Sequence, residues 1–329
     1  MTSRPGDDRE DAILERLLRA DGYVSGEEIA QHLRISRTAV WNHVSALKRI
    51  GLEIESQPHL GYRLAAEPDL LLPAVLRHGL KSELIGRAIV YFERTSSSND
   101  EAERLARGGE PEGTVVVAEE QTAGRGRVGR EWRSPRHRGI YLSLILRPAL
   151  SPARVSFLTL CSATAAQRAI EACAPGLQAS VKWPNDVLVG GRKVCGILTE
   201  LGTEADRINH AVLGVGMNVN HEPEDLEGIP AATSLRIETG GELSRPALAR
   251  AFLEEFDIQY ALLRAGRHTE IIGRWLDASV TVGRRMRVVS LAGGRWEGVA
   301  TGLDDDGRLL LRLDNGLTRR VTGGDVTLL

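Results

Sequence analysis

The chain has 329 residues, 42% hydrophobic and 26% charged, which bounds it to two or three soluble globular domains with real cores. Its formal net charge of −2 argues against non-specific coating of nucleic acid, so any basic surface must be found segment by segment. Residues 1–12 are acidic without the apolar run of a signal peptide, and no stretch has bilayer-spanning length. Cys161, Cys173 and Cys195 are widely spaced with no Cys-x-x-Cys pair, which fits reduced thiols in a cytoplasm and gives no zinc signature. A cytoplasmic protein is expected.

In chain order, Ile13, Leu14, Leu17 and Leu18 recur at helical spacing, and Asp21-Gly22 ends that helix. Ser25 opens a second helix, with Glu28 placed to complete a capping box, and Ile29, Ala30 and Leu33 form its inner face. Ser36 caps a third helix with the inner stripe Val40, Val44 and Leu47. Residues 52–64 then alternate through a hairpin turning at 58–61. Three short helices with a tight turn before the third, followed by a hairpin, is the layout of a winged helix-turn-helix. The outer face of the third helix carries Arg37, Thr38, Trp41, Asn42, Ser45 and Lys48, the expected DNA-binding set. Across 31–66, Arg34, Arg37, Lys48, Arg49 and Arg63 outnumber Glu53 and Glu55, so this segment can offset phosphate charge. A helical module that only packs on the rest of the protein is the competing reading.

Residues 67–70, containing Pro68, read as a linker, and Pro73 starts a helix at its favoured first position. From there to 277 strands and helices mix: strands are expected at 88–92, 114–118, 140–146, 179–183, 193–201 and 210–219, and helices at 99–107, 152–173 and 245–263. Beyond 278, the turn signals Gly293-Gly294, Asp305-Asp306-Gly307 and Asp314-Asn315-Gly316 separate short apolar runs, indicating a small all-β barrel. The expected architecture is α+β. It comprises a winged helix-turn-helix over 1–66, a mixed α/β catalytic domain over 67–277 and a C-terminal β-barrel over 278–329. The barrel shows no catalytic cluster, so substrate docking or domain packing is its expected role.

The most informative stretch is QTAGRGRVGR at 121–130. Its Gly-x-Gly-x-x-Gly is followed by Trp132, Pro135 and a strand instead of a helix, which excludes a dinucleotide fold, and no Gly-Lys-Ser/Thr makes it a Walker loop. What remains is a glycine loop studded with Arg125, Arg127 and Arg130. Glycines let backbone N–H groups approach an anion, and guanidinium forks bind carboxylate or phosphate oxygens. A solvated basic loop or a second nucleic-acid patch stays open on these residues alone. In KWPND, at 182–186, Pro184 stiffens the chain after a strand and holds Asn185 and Asp186. A hairpin turning at Gly190-Gly191 then brings Lys193 back towards Asp186.

Together the glycine-arginine loop, KWPND, RKVCGIL at 192–198, GVGMNVN at 214–220 and SSSND at 96–100 resemble the biotin protein ligase family. With the winged helix in front, the resemblance is to its bifunctional members, in which ligase and biotin operon repressor share one chain, and it covers nearly the whole sequence. It implies that Ser97, Ser98 and Asn99 bind biotin, and that Gln121, Arg125, Gly126 and Arg127 close over biotin and the acyl phosphate. Lys193 would stand at the biotin carboxylate and α-phosphate and Asp186 at the adenylate, while Gly196 and Gly214 would permit close packing of the ligand. Arg125, Arg127, Asp186 and Lys193 form the implied catalytic set. Ser98 departs from the family's Thr, keeping the hydroxyl and losing a methyl, and Val128 stands where some members have another Arg, a change expected to alter loop mobility.

The resemblance implies biotin and ATP as substrates, with Mg²⁺ entering on ATP (Asp186 being a candidate ligand) and no tightly bound prosthetic group. A lysine of a biotin carboxyl carrier protein is the implied acceptor. Operator DNA and a second copy in a homodimer are the other implied partners. Asp186 is a candidate to orient or deprotonate the acceptor amine, and Cys195 reads as core packing, not as a nucleophile. A lipoate or octanoyl ligase and a biotin sensor without ligase activity are the alternatives.

Overall fold

The computed structural model describes residues 8–204, 207–290 and 293–329; residues 1–7 of the expected first domain and 291–292 of the third lie outside the described residues. The chain opens with α1 (Asp8–Arg19), α2 (Gly26–Leu33), α3 (Arg37–Arg49) and the antiparallel hairpin β1 (Ile54–Gln57) and β2 (Gly61–Leu64). The Ser25 and Ser36 hydroxyls accept from the Glu28 and Ala39 N–H groups at 3.0 and 3.1 Å, satisfying helix donors that would otherwise be unpaired. Glu28 pairs with Arg16 instead of turning back, so the expected capping box is only half formed. Ile13, Leu17, Ile29, Val40, Val44 and Leu47 close the core of this winged helix. Gly61 is required where β2 crosses Val24: its φ is +111°, and a Cβ there would sit 2.0 Å from the Val24 carbonyl oxygen.

The segment read as a linker is built into two cores. Leu70 and Leu72 join the winged-helix core while Leu71 joins the main one, the two-way alternation of an extended chain. In α4 (Pro73–Arg77), Ala74 and Val75 likewise pack on the winged helix and Leu76 on the main core. Asp11 accepts from the Ala74 N–H at 2.8 Å, and Arg77 pairs with Asp11 and Glu15. On the other side Arg245, fully buried, donates to Asp69 at 2.9 Å and to Glu119 at 2.6 Å, and Glu119 accepts from the Leu71 N–H at 2.8 Å.

The central domain comprises β3 (Ile89–Phe92), α5 (Ser98–Arg107), β4 (Val115–Ala118), β5 (Gly139–Leu146), α6 (Ser156–Cys173), β6 (Ala179–Lys182), β7 (Asp186–Val189), β8 (Arg192–Glu204) and β9 (Arg207–Asn218). The short helix α7 (Leu235–Thr239) follows, then α8 (Arg245–Arg264) and α9 (His268–Asp277). The strands form one sheet in the order β3-β4-β5-β9-β8-β7-β6; β3 and β4 are parallel across α5 and the remaining neighbours antiparallel. Helices α6, α8 and α9 bury one face, while α5 lies on the other over Val116, Ala118, Ile145 and Val212.

The C-terminal module runs β10 (Arg285–Val289), β11 (Arg295–Leu303), β12 (Leu309–Leu313), β13 (Thr318–Val321) and β14 (Asp325–Leu328), in the order β13-β12-β11-β10-β14. The last strand returns beside the first, as in a small barrel, with β13 and β14 unladdered to each other among the described residues. Met286, Val288, Leu309 and Leu311 join the main core, so the module packs firmly on the central domain. Among the described residues, no helix is long and apolar enough to cross a membrane.

Candidate active site

Strand alternation makes the site. Along β9, Leu213, Val215 and Met217 enter the helix-covered core, so Gly214, Gly216 and Asn218 face the opposite side. Two glycines on that face leave a hollow, and the result is a cleft of about 790 Å³ over β9, β8 and β7, a size suited to a small-molecule substrate. The 121–130 loop forms one wall and Gly324 to Leu328 of the C-terminal module another.

At the β5–β9 end the start of α5 supplies a polar cluster. Gln121 Oε1 accepts from the Ser98 N–H at 2.8 Å and hydroxyl at 3.1 Å, and its amide donates to Ser134 at 2.8 Å. The Ser143 hydroxyl lies 2.6 Å from Asn99 Oδ1 and 2.8 Å from the Ser98 hydroxyl, and Asn99 Nδ2 donates to Glu200 at 2.6 Å. Ser97, Ser98 and Asn99 are buried, so this end offers oriented donors and acceptors inside an otherwise apolar shell.

The glycine-arginine loop closes on itself: the Gly126 N–H donates to the Arg130 carbonyl at 2.7 Å and the Trp132 N–H to the Gly124 carbonyl at 2.9 Å. Its tip places Val128 at φ +58°, a left-handed conformation that a β-branched residue adopts reluctantly, so the tip is strained. Arg125 pairs with Asp100 at 2.7 Å and Glu200 at 3.4 Å. Arg127 reaches in to donate to Asn185 Oδ1 at 3.0 Å, and burial pulls its pKa below the ordinary arginine value. Arg130 pairs with Asp325 of the C-terminal module.

KWPND holds the far wall. Asn185 is fixed by its amide donating to the Ile197 carbonyl at 2.7 Å, after a cis Trp183–Pro184 bond. Asp186 lies across the β7–β8 ladder from Gly196 and takes Lys193 Nζ at 2.5 Å, as the hairpin spacing predicts. Lys193 also stands 5.4 Å from the Trp132 ring centroid. Gly196 and Gly214 line the cleft and also leave room for neighbouring side chains. A Cβ on Gly196 would lie 2.8 Å from Trp132, and one on Gly214 would lie 2.2 Å from Asn99. Among the described residues no three His, Cys, Asp or Glu side chains converge as a metal cage, and Asp186 is engaged by Lys193. Burial pushes the Cys195 thiol up to about 12, which suits packing and not nucleophilic attack.

The structure thus gathers Ser97, Ser98, Asn99, Gln121, Arg125, Gly126, Arg127, Asp186, Lys193, Gly196 and Gly214 around one cleft. Sequence reading missed Trp132, Ser143, Glu200, Lys182 and the β14 wall. The alternation of GVGMNVN is a signal that could have placed the first two, since it identifies the face they meet. On the winged helix, Arg37, Thr38, Trp41, Asn42 and Lys48 are exposed and Ser45 half-buried, with Trp41 60% exposed. Lys48 donates to Ser56 of the wing at 2.9 Å, tying α3 to the hairpin.

Three family models divide the chain: an HTH domain over 9–63, the biotin/lipoate A/B protein ligase family over 91–218 and the biotin protein ligase C-terminal domain over 281–329. The chain is 39% identical to the bifunctional ligase/repressor BirA of Bacillus subtilis, over 93% of this chain and 94% of that protein. It is 34% identical to the biotin–[acetyl-CoA-carboxylase] ligase of Mycobacterium tuberculosis, over 78% of this chain and 97% of that one. Its fold superposes on the biotin protein ligase of Aquifex aeolicus in complex with biotin and ATP with a TM-score of 0.63 at 27% identity, covering 74% of this chain and 99% of the other. The fold, the cleft and these likenesses agree, and the chain belongs to the biotin protein ligase family, among the members that carry an N-terminal helix-turn-helix domain.

Proposed function

We propose that this enzyme joins biotin to ATP as biotinyl-5′-AMP, transfers the biotinyl group to a lysine of a biotin carboxyl carrier protein, and represses biotin-related genes through its winged helix. The observation that carries the reading is the order of groups across one sheet. A buried hydrogen-bonding cluster at β5–β9 suits a ureido ring, and the cations Lys193 and Arg127 lie further along, where a carboxylate would meet a phosphate. A carboxylate oxygen of biotin bonds to the α-phosphorus, the bond from that phosphorus to the bridging oxygen breaks, and the electron pair leaves on pyrophosphate. Arg125, Arg127 and Lys193 offset the charge that develops, and the loop over the cleft keeps water from the mixed anhydride. Mg²⁺ enters with ATP as part of the substrate. The neutral acceptor amine then attacks the acyl carbon and AMP leaves. A lysine amine has a solution pKa of about 10.4, so Asp186 is assigned to orient it and draw off its proton.

The test is incubation of the purified chain with labelled biotin and a carboxyl-carrier domain, with and without ATP. ATP-dependent labelling and pyrophosphate release are expected, with lipoate left untransferred. Transfer of lipoate in place of biotin, or biotin binding without pyrophosphate release, would overturn the assignment.

A further inference from the structure

Six cationic side chains line the cleft: Arg125, Arg127, Arg130, Arg133, Lys182 and Lys193. Three are already matched by carboxylates, Arg125 by Asp100 and Glu200, Arg130 by Asp325 and Lys193 by Asp186. Arg127 and Arg133 donate to neutral oxygens, of Asn185 and of the Glu227 backbone. Of these six described cations, only Lys182 has neither a side-chain hydrogen bond nor an ion pair.

Its position is fixed by register. Lys182 ends β6 directly opposite Asp186 on β7, and directly opposed residues of an antiparallel pair project to the same face. Their neighbours Val181 and Val187, also opposed, enter the core, so Lys182 shares with Asp186 the cleft face. Just beyond it the Trp183 N–H is held by Thr281 at 2.9 Å, which fixes the end of β6 where the central sheet meets the C-terminal module. From β5, which carries Ser143, to β6 is four strand spacings, roughly 19 Å at about 4.8 Å each, with Lys193 on β8 between them. Lys193 reaches from β8 to Asp186, the residue that Lys182 opposes, so the cleft lining runs from the hydrogen-bonding cluster past the Lys193 ammonium to Lys182.

We propose that Lys182 binds the β- and γ-phosphates of ATP and then the departing pyrophosphate. This rests on the ligase reading. A triphosphate is polyanionic, and cations already neutralised by carboxylates must give up those partners before they can serve it, whereas Lys182 has none to give up. A compact ammonium on a flexible stem is a suitable point charge for a group that arrives, gains charge as the α-phosphorus bond breaks, and leaves. Lys182 touches no group of biotin or of the acceptor in this arrangement, so its effect should be confined to the first half-reaction.

Lys182→Met and Lys182→Arg separate this from a structural role. Full-length protein is assayed for adenylate synthesis from biotin and ATP, for inhibition by inorganic pyrophosphate, and for transfer from preformed biotinyl-5′-AMP to the carrier domain. Lys182→Met should slow synthesis about 100-fold, as loss of a transition-state charge partner does. It should raise the KM for ATP and the inhibitory pyrophosphate concentration roughly tenfold, the scale of one charge-assisted bond. Biotin affinity and transfer from preformed adenylate should stay close to wild type, and Lys182→Arg should recover part of the synthesis. Equal losses in both half-reactions, or unchanged dependence on ATP and pyrophosphate, would overturn the proposal. A wild-type protein that makes no adenylate would instead overturn the ligase reading beneath it.

Discussion

Arg127 is a cation held against its own burial: it reaches into the cleft and donates to the neutral Asn185, and desolvation pulls its pKa down against the opposing charges of Asp186 and Asp325. An anion placed beside it would supply the missing charge, which is the condition a developing phosphoryl transition state meets. Lys193, by contrast, waits on Asp186, so a phosphate must compete for it. Arg127→Ala and Lys193→Ala should each slow adenylate formation about 100-fold. Arg127→Ala should in addition release biotinyl-AMP into solution, because the loop then loses its inward anchor. Pyrophosphate release and filter retention of labelled adenylate measure the two effects, and near-normal values of both would remove these assignments. Arg127 and Lys193 were legible in the sequence because their motifs carry chemistry at short spacing. Ser143 and Glu200 were not, because each acquires its position from segments far apart in the chain, and Lys182 was passed over because its motif was read only for Asn185 and Asp186.

At the scale of elements, the start of α8, the end of β4 and the linker meet at one buried ion cluster. Arg245 donates to Asp69, Glu119 and the Gly139 carbonyl with no exposure of its own. Burial works to raise the Glu119 carboxyl, but the bond from His137 and the charge of Arg245 outweigh it and hold the group below its ordinary value. Removing one partner leaves an uncompensated buried charge, so Arg245→Met or Glu119→Gln should cost about 3–5 kcal/mol in denaturant unfolding. A depressed carboxylate contributes stability above its unfolded value and loses it as pH falls through the folded one. Wild type should therefore weaken on acidification, with Glu119→Gln losing less over the same range; parallel acid profiles would show that this cluster is not the source. The long helices α5, α6 and α8 and most strands of the central domain were readable from apolar periodicity. The linker was not, because Pro68 and its polar neighbours look like a tether until Leu70, Leu71 and Leu72 are seen to alternate between two cores. Helix α9 was missed although Ile271, Ile272, Trp275 and Leu276 recur at helical spacing; its buried face packs on α6 and α8.

Over the whole molecule, the winged helix and the ligase domain are separable in chemistry but joined in packing. A fragment beginning at residue 67 should lose operator binding and keep adenylate synthesis, since the whole cleft lies beyond that point, yet Leu70, Leu72 and Val75 would be bared. It should therefore aggregate more readily in light scattering, and a folded fragment unable to make adenylate would show catalytic dependence on the winged helix. The same joint bears on regulation. One winged helix offers a small interface, and two copies reading paired half-sites are the usual route to adequate specificity. Because α4 and the Asp69–Arg245 contact fasten each winged helix to its ligase domain, the spacing of two recognition helices would follow from how the ligase domains pair. Ligand would reach that pairing through the loop: Arg125 rests on Asp100 and Glu200, and an adenylate phosphate would draw it inward and leave those acids exposed to new partners. Adenylate binding and dimerisation would then be linked, each favouring the other by the same free energy. Abundant unbiotinylated carrier would consume the adenylate and lift repression. Sedimentation and operator binding, measured for the apo protein, with biotin, and with a non-hydrolysable biotinyl-adenylate, should show dimers and tight DNA binding chiefly in the last case. Identical association and DNA affinity in all three would exclude this switch and assign the winged helix to ligand-independent binding.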